Sequence, residues 1–252
     1  MFIDTHCHLT DKYTDGIENV ISRATDAGVG IMICPTADPN DIIDALKIAN
    51  TYDNIFCTIG IHPEYAPMDA TDFLTDDILQ NPRVVGVGEI GLDYHYSPQS
   101  RNEQIKLFEQ QLEIADKHAL PVAIHTRDAE DDTIETLKNH PGAHGVMHCF
   151  TSDWKLAEFA LSRGFYFSAS GILTFKNSVD IRETFAKIPL DKIVIETDTP
   201  YCAPVPHRGK TCEPYMVVET ARVLADIKNL QLDELETILM ENVKKLYPKT
   251  QI

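Results

Sequence analysis

The sequence has no long apolar run and no paired cysteine motif. No stretch approaches the ~20 apolar residues that a membrane-spanning helix needs. The opening residues, Met1-Phe2-Ile3-Asp4, have neither the basic nor the apolar region of a secretory leader. Six cysteines, at positions 7, 34, 57, 149, 202 and 212, contain no C-x-x-C pair and do not resemble the disulfide framework of a small secreted domain. We therefore expect a cytoplasmic protein with reduced thiols and no membrane partner.

Positive charge is scarce in this chain. Lysine and arginine total 22 against 39 acidic residues, which gives a formal net charge of −17. Such a field repels long polyanions and excludes a protein that coats nucleic acids. The charge of a phosphate-ester substrate would have to be neutralised locally, by metal ions and a few basic side chains. The sequence gives no sign of an obligate protein partner.

Short β-rich runs alternate with helical patterns along the whole chain, and no linker interrupts them. With 252 residues, of which 43% are hydrophobic, the chain can bury a sizeable core. The regular alternation is typical of repeated βα units. The predicted strands are Phe2–Thr5, Val29–Cys34, Ile55–Ile59, Val84–Glu89, Val122–His125, Gly145–His148, Phe165–Ser168 and Lys192–Glu196.

Helical spacing of apolar residues lies between these strands and is clearest in Ser100–His118. Eight strands with intervening helices predict an α/β fold, a (β/α)8 barrel of TIM type, as one domain over residues 1–252. An open doubly wound sheet stays as the alternative, because strand count alone does not establish closure. The other predicted helices are Gly16–Ala27, Asp41–Asn50, Asp72–Gln80, Ala129–Lys138, Trp154–Arg163, Ser178–Lys187, Pro214–Ile227 and Leu232–Leu246.

Histidines and acids fall where the predicted strands end, which is where parallel barrels carry their active sites. His6 and His8 are two residues apart in extended backbone, so both imidazoles can face one ion. A lone histidine at a strand end is usually structural, but a set from five strands predicts a metal site. The candidate ligands are His6, His8, Glu89, His125, His148 and Asp198.

Basic side chains near the same strand ends are candidates for binding substrate. His62 follows the third predicted strand, and His95 lies in the loop after the fourth. Arg127 stands two residues beyond the candidate ligand His125, which makes it a plausible phosphate contact. A late loop supplies three further candidates, namely His207, Arg208 and Lys210.

Three other motifs do not support their usual functions. Gly86-Val87-Gly88-Glu89-Ile90-Gly91 fits G-x-G-x-x-G, but a loop-like segment follows it, whereas a dinucleotide fingerprint requires a helix there. Arg208-Gly209-Lys210-Thr211 resembles the end of a phosphate-binding loop, but Pro204 occupies the position of the first glycine. A thiol nucleophile at Cys7 or Cys149 is disfavoured, because we expect these side chains to point into the barrel wall.

An ordered series of motifs runs along the whole chain. The motifs are Asp4-Thr5-His6-Cys7-His8, Gly60-Ile61-His62-Pro63, the GEIGLD run 88–93, His125-Thr126-Arg127, His148-Cys149-Phe150, Glu196-Thr197-Asp198-Thr199-Pro200-Tyr201, the run 203–210 and Glu213-Pro214. Taken in order, they closely resemble the TatD family of metal-dependent deoxyribonucleases. The resemblance implies a barrel of the amidohydrolase group, two divalent ions and phosphodiester hydrolysis. One departure is Thr151-Ser152, where many members have Ser-Gly after His-Cys-Phe, and this leaves the ligand His148 intact.

By position, the resemblance assigns His6, His8, Glu89 and Asp198 to one ion, and shares Glu89 with His125 and His148 at the other. Asp198 is our candidate general base and Glu89 the bridge between the ions.

The resemblance also implies a 3′–5′ exodeoxyribonuclease that acts on single-stranded DNA ends, with RNA as a further substrate. We expect the ions to be Mg, Mn or Zn, and Mg is the least natural of these at so many imidazoles. A small-molecule amide or lactone hydrolase of the amidohydrolase group is the alternative function. A non-catalytic metal-binding protein is a third hypothesis.

Overall fold

A computed structural model describes residues 1–9 and 13–251, and its centre is one sheet of eight parallel strands in chain order. The strand neighbours are successive in sequence from β1 to β8, which is the pattern of a (β/α)8 barrel. The predicted fold class is therefore confirmed. The strands are β1 (Phe2–Asp4), β2 (Val29–Pro35), β3 (Ile55–Thr58), β4 (Val84–Asp93), β5 (Val122–Arg127), β6 (Gly145–Met147), β7 (Tyr166–Ala169) and β8 (Ile193–Ile195).

Backbone hydrogen bonds join the first and last strands and close the barrel. The Thr5 N–H donates to the Ile195 carbonyl at 3.1 Å, and the Asp198 N–H donates to the His6 carbonyl at 2.9 Å. Cys7 and Thr199 form a parallel bridge beside them. The open-sheet alternative is therefore wrong.

The helices of the described residues follow the strands and cover the outside of the barrel. Their apolar faces supply the buried residues that pack against the sheet. No helix within the described residues is long and apolar enough to cross a membrane. The helices are α1 (Ile17–Asp26), α2 (Ile42–Thr51), α3 (Asp76–Leu79), α4 (Arg101–Lys117), α5 (Glu130–Asn139), α6 (Trp154–Ser162), α7 (Val179–Lys187), α8 (Val217–Lys228) and α9 (Leu232–Leu246).

Most predicted elements differ from the structure by one to three residues at their ends, and two differ more. The single helix predicted at Asp72–Gln80 is wrong, because a short 3₁₀ turn at Ala70–Asp72 precedes the four-residue helix α3. Asp69 accepts from the Thr71 N–H, and Thr75 is extended, so each of them starts a separate turn. Strand β4 does not end at Glu89 but continues to Asp93.

The N-terminal end of the barrel is filled by an apolar cluster. Tyr247, just after α9, is fully buried against inward-facing residues of the strands. Asn242 of α9 donates to the Leu190 and Ile193 carbonyls at the start of β8, which fixes the helix across this end. The cluster comprises Ile3, Ile31, Ile33, Phe56, Val85, Ala123, Val146, Val194, Val243, Leu246 and Tyr247.

Candidate metal centre

Glu89 lies at the centre of the C-terminal mouth of the barrel, and only 4% of its surface is exposed. Its Oε2 lies 3.4 Å from His6 Nε2 and 3.5 Å from His8 Nε2. Its Oε1 lies 3.0 Å from His125 Nδ1 and 3.3 Å from His148 Nε2. Each carboxylate oxygen therefore faces its own pair of imidazoles, which is the arrangement of a bridging ligand.

Asp198 completes the Oε2 side of this cluster. Its Oδ1 lies 3.8 Å from His8 Nε2 and 4.0 Å from His6 Nε2. Its Oδ2 accepts a hydrogen bond from the Cys202 thiol at 3.7 Å. The structure thus brings together all six candidate ligands that the sequence indicated.

A break in the strand register aims Glu89 into the mouth. The pairing of β4 with β5 shifts between Val87 and Ile90, and such irregularities redirect a side chain. Glycine permits the close approach of the backbone here, since a Cβ on Gly88 would lie 2.6 Å from the Ala123 Cβ. The Glu89 N–H donates a hydrogen bond to the Thr36 carbonyl at 2.8 Å.

The buried carboxylate of Asp4 ties the first-strand ligands to the eighth strand. Asp4 is fully buried and accepts from the Thr197 N–H at 3.0 Å and the Thr197 hydroxyl at 2.6 Å. It also accepts from the His6 N–H at 3.3 Å. These bonds hold His6 and the segment that carries Asp198 in one arrangement.

Two further carboxylates contact the ring nitrogens of His125 and His148 that do not face Glu89. The sequence motifs had assigned a role to neither carboxylate. Asp93 Oδ2 lies 3.0 Å from His125 Nε2, and Glu196 Oε1 lies 2.8 Å from His148 Nδ1. Such contacts fix the ring orientation and make an imidazole a better metal ligand. A signal was present, because Glu196 is two residues before Asp198 and Asp93 closes the GEIGLD run.

The charges of the cluster depend on one another. Burial raises the pKa of a carboxyl group, yet His148, His125 and His6 together hold the pKa of Glu89 well below its ordinary value. Burial alone would lower the pKa of His125, but Asp93 and Glu89 raise it to about 9. Burial, with a further contribution from the neighbouring His148, lowers the pKa of His6 to about 4.

These residues fit divalent cations. His6 Nε2 is buried and has no hydrogen-bond partner among the described residues, although it points toward carboxylate oxygens. An unpaired buried nitrogen is costly unless a ligand satisfies it. The cluster offers imidazole nitrogens and carboxylate oxygens, a donor set that suits Zn, Mn, Fe or Co.

The candidate substrate residues lie at different distances from the cluster. His62 belongs to it, since its Nε2 is 3.8 Å from Glu89 Oε1 and burial lowers its pKa to about 3. Arg127 ends β5 next to the cluster, and its guanidinium carbon lies 4.7 Å from the centroid of the Tyr96 ring. His95 is exposed and contacts Asp128 Oδ2 at 3.1 Å.

Among the described residues, the three candidates of the late loop make no hydrogen bond or ion pair with the cluster. Arg208 donates to the Ala203 carbonyl at 3.0 Å, and its guanidinium carbon lies 3.8 Å from the Phe175 ring centroid. His207 contacts the edge of Tyr215, and Lys210 is exposed. A role of these side chains in binding substrate stays a prediction.

The two thiols considered as nucleophiles, Cys7 and Cys149, are poorly suited to that role. Cys7 is fully buried, which raises the pKa of its thiol well above the ordinary value. The Cys149 thiol donates to the Ser170 hydroxyl at 3.1 Å, and its contact with Cys202 raises its pKa well above the ordinary value. A protonated thiol is a weak nucleophile, so the geometry favours the metal-type cluster as the reactive group.

Comparison with known proteins identifies relatives over almost the full chain. A family model described as TatD related DNase matches residues 3–248. The uncharacterized metal-dependent hydrolase YabD of Bacillus subtilis strain 168 is 36% identical, with 98% of this chain and 99% of that protein covered. The uncharacterized metal-dependent hydrolase YcfH of Escherichia coli K12 is 34% identical, with 97% and 95% covered. The crystal structure of YjjV, a TatD homolog of Escherichia coli K12, has a TM-score of 0.89 at 30% identity and 98% coverage of both chains.

Proposed function

This chain belongs to the TatD family of metal-dependent hydrolases, and we propose that it cleaves phosphodiester bonds as a 3′–5′ exodeoxyribonuclease on single-stranded DNA. RNA is a further proposed substrate. One observation carries the proposal: the two oxygens of Glu89 face two separate imidazole pairs, with Asp198 beside one of them. Such a site suits two cations that share one carboxylate.

We assign the first ion to His6, His8 and Asp198 and the second to His125 and His148, with Glu89 shared between them. Bound cations of this kind polarise a phosphoryl oxygen and lower the pKa of a water molecule to about 7. The identity of the ions among Mg, Mn and Zn is left to experiment.

Asp198 is proposed as the general base that takes the proton of the attacking water. In the metal-free protein, burial raises the pKa of its carboxyl group well above the ordinary value, so the group readily holds a proton. Its Oδ1 faces His6 and His8 within 4.0 Å, so the carboxylate stands beside the site proposed for the first ion. Arg127, His62, His207 and Arg208 are proposed to bind the substrate phosphates.

The negative charge of the chain agrees with an enzyme that binds strand ends only transiently. A net charge of −17 disfavours tight binding along a duplex, whereas turnover at an end needs only local neutralisation. The proposal places the enzyme in the cytoplasm, where its six free thiols stay reduced.

The test is a substrate panel measured on the purified protein after chelation and after addition of Mg²⁺, Mn²⁺ or Zn²⁺. We expect metal-dependent shortening of single-stranded DNA labelled at the 5′ end, one nucleotide at a time. A label at the 3′ end should be released at the first step. Hydrolysis of a lactone or an amide, with DNA and RNA left intact under every metal, would refute the proposal and favour the small-molecule alternative.

A further inference from the structure

An aromatic side chain stands exposed beside the metal-type cluster. Tyr96, in the loop after β4, is 69% exposed, and the guanidinium of Arg127 lies over its ring. Arg127 is the last residue of β5, two positions beyond His125, so the pair stands at the C-terminal mouth. Tyrosine presents a large rigid face for binding, which makes this pair a candidate contact surface.

One carboxylate connects this pair to the cluster. Asp93 Oδ2 contacts His125 Nε2 at 3.0 Å, and Asp93 Oδ1 accepts from the Tyr96 N–H at 2.9 Å. The backbone of Tyr96 and the imidazole of His125 are thus held by the two oxygens of a single side chain. Tyr96 is therefore linked through Asp93 and His125 to the Oε1 side of Glu89.

The loop that carries Tyr96 is held in place by a buried glutamine. Gln104 is fully buried and accepts from the Asp93 N–H at 2.8 Å. Its amide donates to the carbonyls of Asp93 and Ser97, each at 3.0 Å. Because the loop is ordered before a ligand arrives, little conformational entropy is lost when the ring is contacted.

Charge at this position favours an anionic ligand. The Arg127 guanidinium rests on the tyrosine ring and makes no ion pair with the described residues, in a chain whose net charge is −17. An unpaired cation next to an exposed aromatic face complements a phosphate next to a planar base. Aromatic faces accept any base, since every base has a π-face.

We propose that Tyr96 is a stacking platform for an unpaired nucleobase next to the scissile phosphodiester, and that Arg127 contacts the phosphate of that nucleotide. This inference rests on the proposed phosphodiesterase function and narrows the substrate to nucleic-acid strands whose terminal base is free. A base inside a duplex stacks on its neighbours, so the platform selects single strands without selecting sequence.

The experiment compares two oligonucleotides, one normal and one with abasic tetrahydrofuran residues at the cleaved end. The variants are Tyr96→Ala and Tyr96→Trp, with Ile43→Ala as the matched control, because Ile43 is also 69% exposed but lies on α2. We expect Tyr96→Ala to lower kcat/KM on the normal strand by about 5- to 150-fold, the equivalent of one stacked base, and to leave the abasic strand unchanged. Tyr96→Trp should keep kcat/KM on the normal strand close to the wild-type value. Ile43→Ala should have the wild-type kcat/KM on both strands.

A binding measurement separates this inference from the proposed hydrolysis. A strand with terminal 2-aminopurine should show quenched fluorescence on binding the wild-type protein, and the quenching should be lost in Tyr96→Ala. If the wild-type protein quenches the 2-aminopurine fluorescence but hydrolyses no phosphodiester, the stacking role of Tyr96 is supported and the proposed hydrolysis is refuted. Equal loss of kcat/KM on normal and abasic strands, or quenching that survives Tyr96→Ala, would overturn the platform.

Discussion

The two ends of this barrel are built from the same eight strands but have opposite chemistry. At the N-terminal end, inward-facing side chains are apolar and pack against Tyr247, which is fully buried. At the C-terminal end, the buried side chains are acids and histidines around Glu89. Burying apolar surface stabilises the fold, whereas burying charges costs free energy unless partners or cations compensate. We infer that the N-terminal end supplies stability and the C-terminal end supplies chemistry.

The largest expected effect comes from Asp198→Asn at the C-terminal end. Removing the proposed base should lower kcat by about 10²- to 10⁴-fold. The free energy of unfolding of the metal-free protein should not fall, because the amide replaces a carboxylate whose burial is unfavourable. Steady-state kinetics and urea unfolding measure the two quantities.

Asp226→Asn is the matched control, since Asp226 is exposed on α8. It should alter neither quantity. An Asp198→Asn protein that keeps wild-type kcat would remove Asp198 from the mechanism, and one that unfolds far more readily would show that the C-terminal end also supplies stability.

Tyr247→Ala tests the opposite end. Truncating a large, fully buried side chain should lower the free energy of unfolding by about 3–5 kcal/mol, through lost burial and a residual cavity. At a temperature where the variant is folded, kcat should stay within about twofold of the wild type, because the truncation lies at the opposite end of the barrel and shares no contact with the proposed ligands.

Tyr247→Phe provides the conservative control at the same position. The Tyr247 hydroxyl is buried without a hydrogen-bond partner among the described residues, so its removal should raise the free energy of unfolding by about 1 kcal/mol. If Tyr247→Ala instead abolishes kcat in the folded protein, the two ends are coupled and the division of roles is wrong.

Glu196→Gln sharpens the comparison within the C-terminal end. Of the proposed ligand histidines, Glu196 contacts His148, which lies on the Oε1 side of Glu89. Its loss should therefore weaken one of the two proposed metal sites by about 10- to 100-fold. Calorimetric titration with Mn²⁺ should show one weakened binding phase and one unchanged phase. Glu183→Gln, an exposed change on α7, should leave both phases intact. Equal weakening of both phases would indicate general damage to the mouth and not the support of one histidine.

The sequence permitted prediction of the cluster because strand ends in a parallel barrel converge. His6, Glu89 and Asp198 are far apart in the chain, but each follows or interrupts a β-rich run, so the fold class alone placed them at one mouth. Their chemical roles stay predictions. The fold class was predictable because β-rich runs alternate regularly with helical patterns along the chain.

Other features depend on tertiary detail that no local pattern encodes. The role of Asp93 was missed because β4 continues past a register shift at Glu89, and propensity does not reveal such a shift. The break between Ala70–Asp72 and α3 arises from the Asp69 side chain, which accepts from the Thr71 N–H, and from the extended backbone of Thr75. The position of Tyr247 depends on how α9 docks across the barrel, which is a contact between distant segments.

The most direct test of the account is anomalous diffraction from a crystal soaked in Mn²⁺. We predict two peaks, one on each side of the Glu89 carboxylate, the first beside His6, His8 and Asp198 and the second beside His125 and His148. A single peak that leaves one of these groups without metal, or peaks away from Glu89, would contradict the proposal that this carboxylate joins two cations.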